Sequence, residues 1–310
     1  MLQFPTTGFA KSVNADNVDL GALCDWIEAN LLFDEIQLSK SDLVDTLCDE
    51  ALYEDQDMAS AKVDDAWTEL RRRQACLNNR ACFLVNTGHI TRTRPWRDDA
   101  AHAFCILLAL AKWNREWARQ FGEDYTEQGE LFELLTKESM ETQFPDWRFH
   151  LTGWARTHAV KLAAVVKDIT GLLGEAEGDL SRWAEPEANE SGLDLLCYRP
   201  FSDNRVGVPL YLLQCASGVR WKPKLKTPDI DDWSRIIQFA ATPRKAFATP
   251  FAFLDPDFIR YCGNLRGLLL DRYRLLAAVN HRENWMSAGL RRRIIAWARP
   301  RVKKLSRFES

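Results

Sequence analysis

The chain has 310 residues, of which 46% are hydrophobic and 27% charged, so it can bury one large core or two smaller ones. This composition argues against a disordered or a membrane protein. The longest apolar run, Ala103 to Ala111, is far shorter than the ~20 residues that cross a bilayer, and the N-terminus does not resemble a signal peptide. We therefore expect a soluble, cytoplasmic protein.

The net charge of −3 hides an uneven distribution. Residues 1–70 contain 16 acidic and three basic residues, whereas residues 281–310 contain nine basic and two acidic ones. Such asymmetry is typical of an acidic, partner-binding portion joined to a portion that binds a polyanion. The alternative is two helical faces that are solvated differently.

The first 120 residues are predicted to be helical, with helices at 20–33, 61–76 and 100–121. Strands and helices are then predicted to alternate. Helices are expected at 125–144, 158–173 and 229–240, and strands at 147–153, 192–199, 209–217 and 246–253, with a loop at 175–190. Residues 255–307 are expected to be helical with a break near Pro300. This order predicts three parts: an acidic helical region at 1–122, a mixed α/β core at 123–254, and a basic helical extension at 255–310 packed on the core.

The eight cysteines form no CxxC pair, and no histidine follows them at a spacing typical of zinc ligands. Most lie in apolar runs, which favours buried free thiols over a zinc site or disulfides. The chain also lacks the GxxxxGK[ST] motif of a P-loop ATPase.

Two polar residues interrupt apolar strands: Asp194 lies between leucines, and Gln214 lies between Leu213 and Cys215. The connector from Pro200 to Val208 is rich in turn formers, so we expect a hairpin that brings the two side chains together. Oxygen donors that converge in this way suit Mg²⁺. Alternatively, Asp194 caps the start of its strand and Gln214 satisfies loop backbone groups.

Three segments, GELFELL (129–135), QFPDW (143–147) and SGLDLLCYRPFSDNRVGVPLYLLQCASG (191–218), together resemble the PD-(D/E)xK, or restriction-endonuclease-like, nuclease superfamily. The similarity is to branches that have Gln in place of the second acidic residue. It covers about residues 125–253 and implies an αβββαβ core. The chain departs from the QxK pattern at Ala216, where the family has lysine.

By this resemblance Glu133 is the helical glutamate, with Glu130 as a fallback, and Asp194 and Gln214 are the strand residues. Asp194, Gln214, the Cys215 carbonyl and Glu133 would then hold one or two Mg²⁺ (or Mn²⁺) ions. Lys224, or else Lys222, would replace the missing lysine, because a long side chain can reach back to the site. The alternative for Glu133 is a surface pair with Lys137.

The resemblance implies a metal-dependent deoxyribonuclease, of a kind common in bacterial restriction and antiphage defence beside a separate ATPase or sensor protein. The alternative is a degenerate nuclease fold that binds DNA or a partner without cutting. Expected phosphate contacts are Arg220, Trp221, Arg291, Arg292, Arg293, Arg299, Arg301, Lys303 and Lys304. For the arginine triplet the alternative is a solvated helix face.

Overall fold

The computed structural model describes residues 1–10, 18–114, 116–121, 125–152, 162–183 and 192–308. Contacts divide the chain into two units. The first comprises residues 1–124, 250–254 and 272–310, and the second comprises 125–249 and 255–271. Both units contain helices and strands, so the fold is mixed α/β. Residues 272–310, which the sequence assigns to an extension of the core, group with the N-terminal residues instead.

The secondary structure is as follows. The α-helices are α1 Leu20–Phe33, α2 Lys40–Asp49, α3 Gln56–Cys76, α4 Ala100–Trp113, α5 Trp117–Phe121, α6 Tyr125–Gln143, α7 Leu162–Leu173, α8 Leu180–Trp183, α9 Ile230–Ile236, α10 Asp255–Leu265, α11 Arg272–Leu276 and α12 Ala288–Lys303. The strands are β1 Gln37–Ser39, β2 Phe83–Val85, β3 His89–Arg92, β4 Arg148–Leu151, β5 Ala176–Glu177, β6 Leu195–Tyr198, β7 Leu210–Cys215, β8 Ile237–Gln238, β9 Arg244–Ala248 and β10 Leu268–Leu270. Short 3₁₀ helices span Lys222–Lys226 and Ala277–Asn280.

The first unit is helical, but it also contains a three-stranded antiparallel sheet in the order β1-β3-β2. The prediction that the first 120 residues are entirely helical is therefore wrong. Strands of three or four residues are too short for a two-residue period to stand out. The helix ends follow ordinary rules: Asp19, for example, accepts a hydrogen bond from the Ala22 amide and caps α1.

Two helical predictions in this unit need correction. The helix predicted at 100–121 stops at Trp113, because Asn114 adopts an extended conformation (φ −116°, ψ 108°), and α5 is a separate turn. The break predicted near Pro300 does not occur, since α12 continues to Lys303 with Pro300 inside it. Pro300 removes one amide donor from the last turn of α12, and the helix ends only three residues later.

The second unit is built on a five-stranded sheet in the order β10-β9-β7-β6-β4. Strands β4, β6 and β7 are antiparallel neighbours, whereas β7, β9 and β10 run parallel. Helices α7 and α9 cover one face through a core that includes Ile169, Leu212 and Trp233. Helix α7 ends before Gly174, whose positive φ of 70° is typical of a glycine that terminates a helix.

The sequence prediction differs from the second unit in three places: at residues 175–183, at β10, and in the helix predicted at 229–240, which ends at Ile236 and is followed by β8. Residues 175–183 contain β5 and α8 where a loop was predicted, and β5 pairs with β8, which follows α9 directly. The helical prediction for 255–307 is interrupted by β10. Residues 158–161 and 184–190 lie outside the described residues. Among the described helices, none has the length and apolar character needed to cross a membrane.

Candidate metal site in the second unit

Asp194 directly precedes β6 and is only 8% exposed. Its amide donates to the Leu213 carbonyl at 3.0 Å, and its own carbonyl accepts from the Thr152 amide at 3.1 Å. These two bonds extend the pairing of β6 with its neighbours by one residue. Since Leu195 pairs with Leu213, Asp194 lies beside Gln214, which is 4% exposed.

The Asp194 and Gln214 side chains are in direct contact. The Gln214 amide group donates to Asp194 Oδ2 and, at 3.2 Å, to the Cys215 carbonyl. The Cys215 backbone amide donates to the same carboxylate oxygen at 2.6 Å. The structure thus brings together three of the predicted metal ligands: the Asp194 carboxylate, the Gln214 amide and the Cys215 carbonyl.

Thr227 and Gly192 complete this group, although the sequence analysis did not identify them. The Thr227 hydroxyl lies 3.0 Å from Gln214 Oε1 and 3.0 Å from the Lys224 carbonyl. Gly192 has a φ of +73°, and a Cβ there would lie 2.6 Å from Thr227 Cβ and 2.7 Å from Gln214 Oε1. Glycine is therefore required for this close approach. The sequence signal that could have identified Gly192 was its position two residues before the strand aspartate.

The Gln214 side chain can present either its amide nitrogen or its amide oxygen to Asp194, because the two orientations differ only by rotation about its last side-chain bond. A hydroxyl has one proton, so Thr227 satisfies either Gln214 Oε1 or the Lys224 carbonyl but not both. If the amide is turned over, Thr227 donates to Lys224 and accepts from Gln214 Nε2. Gln214 Oε1 then faces the Asp194 carboxylate and the Cys215 carbonyl. Three oxygens in this arrangement repel one another unless a cation lies between them.

Glu133 approaches Cys215 from helix α6. Burial raises the pKa of the Cys215 thiol far above its ordinary value, and the charges of Asp194 and Glu133 raise it further. Helix α6 is also held to the end of β7 by the Gln128 side chain, which donates to the Ser217 carbonyl at 3.2 Å. Lys137, the alternative partner proposed for Glu133, donates to Glu141 at 2.6 Å.

The lysines near this site come from two segments. Lys222 and Lys224 are exposed on the 3₁₀ helix, and Lys224 is linked to Gln214 through its own carbonyl and Thr227. Lys245, on β9, was missed because the predicted strand began at Ala246. Its ammonium donates to the Lys226 carbonyl at 2.8 Å. Burial lowers the pKa of Lys245 below its ordinary value, although Asp229 opposes this effect.

Several residues that the sequence predicted to contact nucleic acid are buried or paired with other side chains. Trp221 is 2% exposed and packs against Tyr261, so its ring is not available for base stacking. Arg301 is 7% exposed and donates to the Trp297 carbonyl at 2.7 Å, so it is a packing residue. Arg291 forms an ion pair with Asp98 at 3.0 Å. Arg293 is half-buried, and the side chains that remain exposed are Arg220, Arg292, Arg299, Lys303 and Lys304.

Comparisons of the chain with protein-family models, curated proteins and solved structures found no match. Function is therefore inferred from the chain's own residues. The most informative group is the cluster of oxygen atoms around Asp194, which is built from two adjacent strands and the loop that holds Thr227.

Proposed function

We propose that the second unit is a Mg²⁺- or Mn²⁺-dependent deoxyribonuclease of the PD-(D/E)xK kind. The element order supports this proposal. With α7, β5 and α8 inserted between β4 and β6, and the two-residue β8 between α9 and β9, the elements α6, β4, β6, β7, α9 and β9 give helix, three strands, helix and strand. That is the αβββαβ order of the superfamily that the sequence resembles. The order by itself argues for the fold, and the reaction must be argued from the site.

The observation that carries the proposal is the convergence of Asp194, Gln214 and the Cys215 carbonyl. Carboxylate and amide-type oxygens are the ligands that Mg²⁺ prefers, and one or two carboxylates with several waters suffice to hold it. In the proposed metal-bound state the Gln214 amide turns over, so that its oxygen faces the ion. Glu133 would act on the ion directly or through a water molecule.

The chemistry follows from the charge of the ion. A bound Mg²⁺ supplies a nucleophilic water and stabilises the negative charge that develops on the scissile phosphate. A lysine would stabilise that charge as well. Lys224 and Lys222 are candidates from the 3₁₀ helix, and Lys245, which contacts the Lys226 carbonyl beside Thr227, is a candidate from β9. The same proposal includes DNA as the substrate, a role in antiphage defence, and a partner that is an ATPase or a sensor protein.

The test is cleavage of plasmid DNA by the full chain with Mg²⁺ or Mn²⁺. Asp194→Ala removes the charged ligand, so we expect the rate to fall at least about 100-fold. The matched control is Asp203→Ala, an exposed aspartate in the connector between the same two strands, and it should cleave like wild type. Undiminished cleavage by Asp194→Ala would contradict the proposal.

A second candidate is a nuclease fold that binds DNA or a partner without cutting it. The observation that favours it is Ala216, which is 1% exposed and stands where the superfamily has lysine. A mobility-shift assay in Mg²⁺ separates the two functions. DNA binding without cleavage, in the wild type and in Asp194→Ala alike, would favour this second function.

A further inference from the structure

A second cluster of possible metal ligands lies in the first unit. Cys82 precedes β2, Asp99 precedes α4, and His102 lies in the first turn of α4. One ligand atom from each lies within 4.8 Å of the other two. The sequence did not indicate this cluster, because 20 residues separate Cys82 from His102 and the two are brought together only by the fold.

The distance between Cys82 and His102 is close to that of a metal site. Cys82 Sγ lies 3.2 Å from His102 Nδ1. With Zn–S near 2.3 Å and Zn–N near 2.0–2.1 Å, tetrahedral coordination places these two atoms about 3.5 Å apart. A small increase in the distance between Cys82 Sγ and His102 Nδ1 would therefore make room for a zinc ion bound to both atoms.

His102 is oriented as metal-binding histidines are. Its Nε2 lies 2.7 Å from Glu28 Oε2, and both residues are completely buried. A neutral imidazole that donates Nε2–H to this carboxylate has its lone pair on Nδ1, the atom that faces Cys82. A carboxylate that holds the second ring nitrogen is the usual support of a ligating histidine, and it makes the ligand more basic.

Asp99 provides the third group. It occupies the N-cap position of α4, yet its side chain makes no capping hydrogen bond. Its carboxylate forms an ion pair with Arg94 at 3.3 Å. Helical spacing puts Asp99 and His102 on one face, three residues apart.

Asp99 also lines a cavity of about 370 Å³. The charged residues in the wall of this cavity are Arg80, Arg94, Asp98, Asp99, Glu283 and Arg291. The cluster therefore has a route to solvent through Asp99, although Cys82 and His102 are buried. Three of the charged wall residues are basic and three are acidic, and Arg94 and Arg291 are paired with Asp99 and Asp98.

We propose that the first unit binds one Zn²⁺ ion through Cys82 Sγ, His102 Nδ1 and the Asp99 carboxylate. Binding replaces the thiol proton of Cys82, which is released to solvent, and forms a zinc–thiolate bond. Thiolate, imidazole and carboxylate together favour Zn²⁺ over Mg²⁺. Three protein ligands leave a fourth position for water, as in zinc sites that bind exchangeable ligands.

The experiment measures metal in the full chain directly. Elemental analysis of the purified protein should find zinc at one ion per chain. After removal by a chelator, addition of Co²⁺ should produce a thiolate-to-cobalt charge-transfer band. This band reports a cysteine ligand, so Co²⁺ bound at the Asp194 site would not produce it.

Two variants and one control identify the ligands. Cys82→Ser should abolish the charge-transfer band. Cys105→Ser, which removes a fully buried thiol that lies on α4, should retain it. Loss of residues that only orient a ligand weakens metal affinity about 10–100-fold, so Asp99→Asn should weaken it by at least about tenfold. Absence of the band in wild type, or an equal band in Cys82→Ser, would overturn the proposal, with far-ultraviolet circular dichroism used to verify folding.

Discussion

Each of the two units buries a polar cluster, and the two clusters neutralise their charges differently. In the first unit, carboxylates and guanidinium groups pair with each other; we call this set the ion network, and it consists of Asp25, Glu28, Glu69, Arg73 and Arg272. In the second unit, the donors described around Asp194 are neutral, namely the Cys215 amide and the Gln214 side chain. One cluster pairs its charges within the protein, whereas the other is where we propose that a cation binds.

The ion network holds together segments that are far apart in sequence. Arg73 of α3 bonds Asp25 at 3.0 Å and Glu28 at 2.7 Å on α1, and Arg272 of α11 bonds Asp25 at 2.8 Å. A buried charge is costly unless it is paired and hydrogen-bonded. We therefore expect substitutions here to change folding stability, and substitutions around Asp194 to change ion binding.

The largest expected effect is that of Arg73→Met, which leaves buried carboxylates without one of their cations. Removing one partner of a buried ion pair costs about 3–5 kcal/mol, so the free energy of unfolding should fall by that amount. Denaturant titration measures the change. Arg71→Met, on an exposed face of the same helix, should stay within about 0.5 kcal/mol of wild type. Equal losses of unfolding free energy in Arg73→Met and Arg71→Met would contradict the role assigned to Arg73 in the ion network.

Acid should weaken the same network. Burial by itself would raise the pKa of Asp25 and of Glu28, but Arg272 and Arg73 together with the other partners lower both pKa values below their ordinary range. Carboxylates with a depressed pKa stabilise the fold above the unfolded-state value of about 4, and this stability is lost progressively as the pH falls below it.

Thermal unfolding at a series of pH values measures this dependence. The melting temperature should be nearly constant just above pH ~5 and should fall steeply below pH ~4. Arg71→Met should retain this profile. A melting temperature that rises on acidification through this range would contradict the role assigned to Asp25 and Glu28.

Mg²⁺ should stabilise the second unit through Asp194. A ligand at 100 times its dissociation constant stabilises the folded state by about 2.7 kcal/mol. We expect this increment in wild type and in Asp203→Asn, and we expect it to vanish in Asp194→Asn. The measurement is the shift in unfolding midpoint on adding Mg²⁺, and the same shift in all three proteins would exclude Asp194 as the ligand. This assay is independent of DNA cleavage.

The sequence predicts the hairpin well because its signals are local. Two apolar runs, a turn-rich connector and two polar interruptions suffice to bring Asp194 and Gln214 together. The sequence does not reveal Thr227, which reaches Gln214 from a loop 13 residues further on. It likewise misses the ion network, because Asp25 and Arg272 are 247 residues apart and meet only in the folded chain.

Burial also explains the misplaced DNA contacts. Trp221 and Arg301 belong to basic stretches of the sequence, yet both side chains are packed inside. A run of basic residues indicates where charge is abundant, but whether a particular side chain is exposed depends on which face of its helix or loop meets the core. Arg301 illustrates this, since its guanidinium carbon lies 3.7 Å from the Trp297 ring centroid.

The smallest effect should come from Gly192→Ala, which tests how the Asp194 cluster is held. The positive φ alone disfavours alanine, and conformations of this kind cost about 1–3 kcal/mol for residues other than glycine. The new Cβ would also press on Thr227 and Gln214, so the Mg²⁺-induced shift should shrink along with stability. Gly218→Ala is the matched control, because a Cβ there meets nothing within 4 Å. If Gly192→Ala loses stability but keeps the full Mg²⁺ shift, Gln214 is not a ligand and Asp194 binds the ion without it.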